Sequence, residues 1–338
     1  MGYALFIVYA SLSPFSNWRN QGINFSDVLT AQLSLSYTAF DATANMLSYL
    51  PLGFLVALTL RARLGTVLSA VLALLTGIML SACMEFLQLY LPSRISSNTD
   101  LISNSVGTFF GALLATGLAS QPWIIIRLNN WRSTVFKQGK EVDFGLALLA
   151  LWIFVQTNPS LPMLGNVFIS AVAQQPFVKQ PPSPFDWWES IAVMLNLMML
   201  GTLMLTLLRI PRNAASALMV ILSTVALAKF LAATVLLKSS ALLLWINSEA
   251  MLGILMGMLL LLFALGLAHG AIRILGSLAA AFYFIVVNFS LDSNAPSAAA
   301  SVYHWHYGHL LNYNGLAQSI MLGFPVLLII HLWLIRKV

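Results

Sequence analysis

Ten apolar runs dominate this chain, and most approach the roughly 20 residues that a helix needs to cross about 30 Å of hydrocarbon. They lie near 2–14, 43–60, 66–92, 101–119, 143–157, 190–208, 214–237, 242–267, 271–291 and 317–335. Backbone polar groups in lipid must be satisfied within their own segment. Runs of this length without period-2 alternation therefore predict helices and not a barrel. Only 8% of the 338 residues are charged, against roughly 25% in a soluble domain. So little charge cannot cover a water-facing surface, and the reading is an all-α integral membrane protein of about ten transmembrane helices.

Basic residues flank the runs and set their orientation. With the N-terminus in the cytoplasm, that side receives Arg61, Arg63, Arg127, Arg132, Lys137, Lys140, Arg209, Arg212, Arg273, Arg336 and Lys337, eleven in all, and the outer side only Arg19, Arg94, Lys179 and Lys238. Both termini are then cytoplasmic. The net charge of +6 is spread over these span ends and forms no nucleic-acid patch. The apolar start, residues 1–10, lacks a basic leader and reads as the first span. The single cysteine, Cys83, carries no disulfide information. Residues 121–142 are too polar to span. With Trp123, Trp131 and Phe136 among basic residues they read as an interfacial helix or a basic linker. Loop 158–187, rich in proline, reads as extended and external.

Residues 44–61 and 192–209 align at an offset of 148, sharing Met-Leu, Leu-Gly and a closing Arg, with a Leu-Thr-Leu in each copy one residue out of register. Asp41 falls on Glu189, and Gly107-x-x-x-Gly111 is echoed by Gly253-x-x-x-Gly257. We read two degenerate parallel four-helix repeats plus two C-terminal helices. The segments are a first unit 1–119, an interfacial linker 120–142, a second unit 143–267 and a C-terminal pair 268–338. The glycine pairs are expected to pack helices within the monomer.

Ionisable groups inside spans are costly and mark function by default. The first unit has a patterned set: Asp41 and Asn45, Glu85 and Gln88, Arg94, then Asp100 and Asn104. Spacings of three and four put each pair on one helix face. In this topology all seven lie at the outer ends of their spans. Glu85, Asp100 and Asp41 are the candidate catalytic carboxylates, with a partly buried Glu85 suited to general acid or base work. Arg94 suits a phosphate or carboxylate, and Asn45, Gln88 and Asn104 would orient the ligand. Three carboxylates with amides also suit a divalent cation. The plainer alternative is that the same groups stitch helices together.

Ser11-Leu-Ser-Pro14, Asp41-x-x-x-Asn45 leading into Pro51-Leu-Gly53, Glu85-x-x-Gln88, Arg94 and Asp100-x-x-x-Asn104-x-x-Gly107-x-x-x-Gly111 together resemble the VanZ-like family over about residues 1–119. These are bacterial four-span membrane proteins whose founder is associated with teicoplanin resistance. Asn45 stands where the family often has histidine, and an amide does not transfer protons as an imidazole does. The resemblance implies a cell-envelope setting in the bacterial inner membrane, not a reaction. The expected function is binding, with or without chemical modification, of an anionic or phosphate-bearing lipid or glycolipid at the outer leaflet. Two alternatives stay open: a non-catalytic accessory subunit working with envelope-biogenesis proteins, and a lipid or small-molecule transporter.

The second unit reads as a scaffold that lost the constellation and kept Glu189, Asn196 and Glu249 as its polar residues. Lys229, mid-span, needs a partner or water; Glu249 is one candidate, although it lies nearer the outer end, and a structural pair is expected over a proton relay. His304-x-His306-x-x-His309, with Asp292 nearby, reads as part of an aromatic belt with Tyr303, Trp305, Tyr307 and Tyr313, and not as a metal site. His269 and His331 read as interfacial or packed.

Overall fold

The computed structural model describes residues 2–12, 15–32, 39–167, 185–237, 242–243, 245–291 and 308–335. The helices are α1 (Gly2–Leu12), α2 (Phe25–Thr30), α3 (Ala39–Leu64), α4 (Thr66–Gln88), α5 (Asn98–Ala119), α6 (Pro122–Val135), α7 (Lys140–Gln156), α8 (Trp187–Leu207), α9 (Ala214–Leu236), α10 (Ser248–Ala264), α11 (His269–Phe289) and α12 (Gly308–Leu334). Each of the ten apolar runs contains a helix, and the run at 242–267 is helical only over Ser248–Ala264. Seven of the described helices are long and apolar enough to cross a membrane, so the chain is an all-α, multi-pass membrane protein. The remaining three runs give shorter helices: α1 with 11 residues, and α7 and α10 with 17 each. Residues 122–135 are helical as well, with Trp123 and Trp131 exposed.

The chain divides into two compact units, residues 1–130 and 131–338. In the first, α3, α4 and α5 pack around one another and α1 lies against α3 and α4. Ile7 and Leu12 of α1 share a core with Tyr49, Leu52, Met84 and Leu91. Glycine decides how close α3 and α5 come. A Cβ at Gly107 would sit 2.1 Å from the Met46 carbonyl oxygen, one at Gly111 2.0 Å from that of Leu50, and one at Gly53 2.0 Å from that of Thr108. The backbones touch, as small-x-x-x-small pairs allow, and the Gly107/Gly111 pair packs helices within the chain. The outward faces carry exposed apolar side chains such as Val67 and Met79, which suits lipid as solvent.

In the second unit α8 is the axis. In its most apolar stretch 89% of residues are buried, against 22% in that of α3. Its neighbours are α7, α9, α10, α11 and α12. Gly253 and Gly257 of α10 face α8 at Ser190, Val193 and Leu197, and Gly201 of α8 faces Leu261 of α10. Residues 135–137 run beside the end of α8: Lys137 N–H donates to Leu207 O at 2.9 Å and Arg209 N–H to Val135 O at 3.0 Å. Arg132 pairs with Asp143. His331 is fully buried, with Nε2 3.2 Å from Thr206 Oγ1, so it is a packed residue.

Two sequence expectations fail here. Loop 158–187 is not external throughout: residues 158–166 are buried. Lys229 has no need of Glu249, because its Nζ donates to the carbonyls of Asn158, Leu161 and Pro162 at 2.9, 2.8 and 3.2 Å. Proline and glycine turns let this non-helical stretch fold back among the helices, and no periodic pattern announces that. His304, His306, Asp292 and the rest of loop 168–184 lie outside the described residues, as does the side chain of His309.

Candidate functional site

The polar residues of the first unit gather where α1 ends, α3 begins, α4 ends and α5 begins. α5 starts at an N-cap, Ser97, whose side chain accepts from Thr99 N–H at 3.1 Å. Ser/Thr/Asp/Asn at this position satisfy one of the free amides of a helix start. Glu85, near the end of α4, supplies a second acceptor there: its Oε2 receives Ser97 N–H at 2.8 Å. A carboxylate at a helix N-terminus is electrostatically favourable. In the first turn of α5, Asp100 Oδ1 accepts from Asn45 Nδ2 at 2.5 Å, which joins α3 to α5. Glu85 is 3% and Asp100 7% exposed, so two carboxylates are held in the interior at this end.

Gln88 and Arg94 reach the other way. Gln88 Nε2 donates to Ser11 O at 3.0 Å and Arg94 Nη2 to Ala10 O at 3.3 Å, tying the last turn of α1 to α4 and the following loop. Burial pulls the Arg94 guanidinium pKa below its usual value, yet a guanidinium remains charged. The side chain of Asp41 is not among those described; its backbone lies in the first turn of α3. Segment 15–32 is fastened to the same end. Arg19 N–H donates to Tyr90 O, Gln21 Nε2 to Leu89 O, and Asn98 Nδ2 to Ala31 O.

Below the carboxylates a polar stripe continues inward for two more turns. Asn104 Nδ2 donates to Ser81 Oγ at 2.9 Å, and Thr108 Oγ1 to Asn104 O at 2.9 Å. The Tyr49 hydroxyl lies buried beside Ser81, and Asn104 Oδ1 is buried without a hydrogen-bond partner among the described residues. These positions follow the helical period from the predicted ones: Tyr49 is four after Asn45, Ser81 four before Glu85, Thr108 four after Asn104. Sequence reasoning missed Tyr49, Ser81 and Thr108, and extending the same spacing would have found them. It also missed Ser97, whose signal was a capping residue ahead of an apolar run.

Chemically, this end offers two carboxylates, a guanidinium and several hydroxyls and amides. The contacts of Asn45, Glu85, Gln88, Arg94 and Asn104 each join one segment to another, so the arrangement is held in one shape. Among the described residues no group of three or more His, Cys, Asp and Glu is placed to hold a metal ion. The Asn45–Asp100 bond should be visible energetically. In a cycle of Asn45→Ala, Asp100→Ala and the double variant, thermal unfolding in detergent should return a coupling of about 1 kcal/mol or more. Additive losses would mean that the two residues do not share a bond.

No curated protein and no solved structure matches the chain. Residues 2–120 match the VanZ/LLP1 family. The match covers the stretch that holds Asn45, Glu85, Gln88, Arg94, Asp100 and Asn104, and so the resemblance to that family is confined to the N-terminal unit.

Proposed function

We propose that the VanZ-like unit binds the headgroup of an anionic or phosphate-bearing lipid or glycolipid at the outer leaflet. The observation that carries this reading is the convergence of Glu85, Asp100 and Arg94 at one end of an otherwise apolar bundle. Ionisable groups at span ends are expensive to keep beside lipid. Arg94 supplies charge for a phosphate or carboxylate, while the carboxylates and amides take the hydroxyls of a sugar or glycerol. The seven long helices together with α1, α7 and α10 make the ten spans of this reading, with both termini in the cytoplasm.

We also infer that the second unit is a diverged copy of the first. α3 and α8 correspond at the 148-residue offset, and each has a glycine facing its partner helix, Gly53 toward α5 and Gly201 toward α10. The partner helix returns a Gly-x-x-x-Gly pair in both cases.

A second reading, a non-catalytic accessory subunit working with envelope-biogenesis proteins, is favoured by one observation. Asn45, Gln88, Arg94 and Asn104 each tie two segments together. Linkage separates the readings. A ligand that binds the folded state raises its unfolding temperature. Short-chain phosphate-bearing lipids should raise that of the wild type, and neutral lipids of equal chain length should not. Arg94→Gln and Glu85→Gln should lose the response while remaining folded. An equal response in all three proteins would leave the accessory reading in place.

Location is tested separately. Ile95, 82% exposed in the loop after α4, replaced by cysteine in a Cys83→Ser background, should react in intact cells with a membrane-impermeant maleimide. Labelling only after permeabilisation would put the site on the cytoplasmic face.

A further inference from the structure

Segment 157–167 of the second unit is non-helical backbone buried among membrane helices. Such backbone is tolerated only where protein satisfies its polar groups. The two ends of the segment are held by a carboxyl group and an amine. At the far end Glu189 Oε1 accepts Asn166 N–H at 2.7 Å. At the near end the fully buried Lys229 donates to the carbonyls of Asn158, Leu161 and Pro162 at 2.9, 2.8 and 3.2 Å. Amide side chains fill the middle: Leu164 N–H donates to Gln156 Oε1 at 3.0 Å and Asn196 Nδ2 to Leu164 O at 2.9 Å. Leu164 is held between them at a positive φ of 60°, a conformation a leucine rarely adopts. The segment is thus fixed at both ends and in the middle.

An ammonium has three N–H donors and no acceptor, and Lys229 places all three on carbonyl oxygens. Two consecutive turns make those oxygens converge, since Leu161 N–H returns to Asn158 O and Gly165 N–H to Pro162 O. Converging backbone carbonyls that replace a hydration shell are also how proteins hold bare monovalent cations. We propose that these three carbonyls form a monovalent-cation cage that the chain fills with its own ammonium: Lys229 is a tethered cation, and free ammonium or potassium takes the cage when the side chain is cut back. The second unit is thereby independent of any external ion. A buried charge whose partners are removed, or partners whose charge is removed, destabilises strongly, so the cage must be occupied for the segment to stay folded.

The test uses the full-length protein in detergent, with unfolding followed in ammonium, potassium or choline chloride at equal ionic strength. The wild type should unfold at the same temperature in all three. Lys229→Ala should unfold several degrees lower in choline and recover, saturably, with ammonium or potassium. Lys229→Met, whose apolar side chain still fills the space of the lysine stem, should be destabilised without recovery. Should Lys229→Ala not survive extraction in choline, recovery of monodisperse protein in ammonium alone is the same supporting result. A Lys229→Ala protein that responds to the three salts alike, that is recovered in none of them, or that matches the wild type in choline overturns the cage.

Discussion

Gly111→Leu is expected to abolish the folded first unit. A Cβ there would lie 2.0 Å from the carbonyl oxygen of Leu50 and 2.8 Å from the backbone nitrogen of Phe54. Both obstacles are backbone, so no side chain can rotate away and α3 must separate from α5. Overpacking an ordinary core costs roughly 1–3 kcal/mol; here the added atoms meet a helix axis, and the cost exceeds that range. The polar end depends on the same approach, because Asn45 reaches Asp100 only while α3 and α5 touch. Gly107→Leu, facing Met46 O at 2.1 Å, should behave alike. Gly117 has open space around its Cβ position, so Gly117→Ala serves as the control and should fold normally. Size-exclusion profiles and unfolding curves of the three variants decide the matter. A monodisperse, stable Gly111→Leu would mean that the α3–α5 approach is not as close as described.

The second large effect is expected at Glu189. Its Oε1 accepts from Asn166 N–H at 2.7 Å and Val167 N–H at 3.5 Å, and the residue is 3% exposed. Glu189→Leu removes the acceptor and leaves buried amides unpaired, at about 1–3 kcal/mol for each unsatisfied group. Glu189→Gln keeps an acceptor oxygen and should restore most of the loss. The unpaired Oε2 gains little from its charge, and in Gln the same position becomes a donor. The expected outcome is therefore strong destabilisation by Leu, weak destabilisation by Gln, and unchanged lipid retention by the Gln protein. Loss of lipid retention in a fully folded Glu189→Gln protein would contradict the assignment of this carboxylate to structure.

What the sequence made legible follows from periodicity. Apolar runs announced the helices. The four-residue spacing of Asp41 and Asn45, and of Asp100 and Asn104, put one face of α3 opposite one face of α5, and Asn45 does reach Asp100. The glycine pair at 107 and 111 announced a helix contact. What had no period was misread. Segment 158–166 contains prolines and no repeat, so it passed for an outer loop, and Lys229 was given a carboxylate partner because its true acceptors are backbone. The second unit was accordingly read as nearly apolar. Its polar centre joins Glu189 and Asn196, which the sequence did single out, with Gln156, Asn158, Asn166, Lys229, Tyr283 and Asn314. Tyr283 donates to Asn166 Oδ1 and Asn158 Nδ2 to Asn314 Oδ1. Buried carbonyls and amides are invisible to a search for side-chain motifs, although every one of them must find a partner.

The proposed role of the polar end of the N-terminal unit is to hold a lipid headgroup. Native mass spectrometry of the purified protein, wild type beside Glu85→Gln and Asp100→Asn, tests it most directly. The wild type is expected to carry a phosphate- or sugar-bearing lipid that is lost from both variants while they remain folded. The same bulk lipids on all three proteins would contradict it and leave Glu85 and Asp100 as helix tethers.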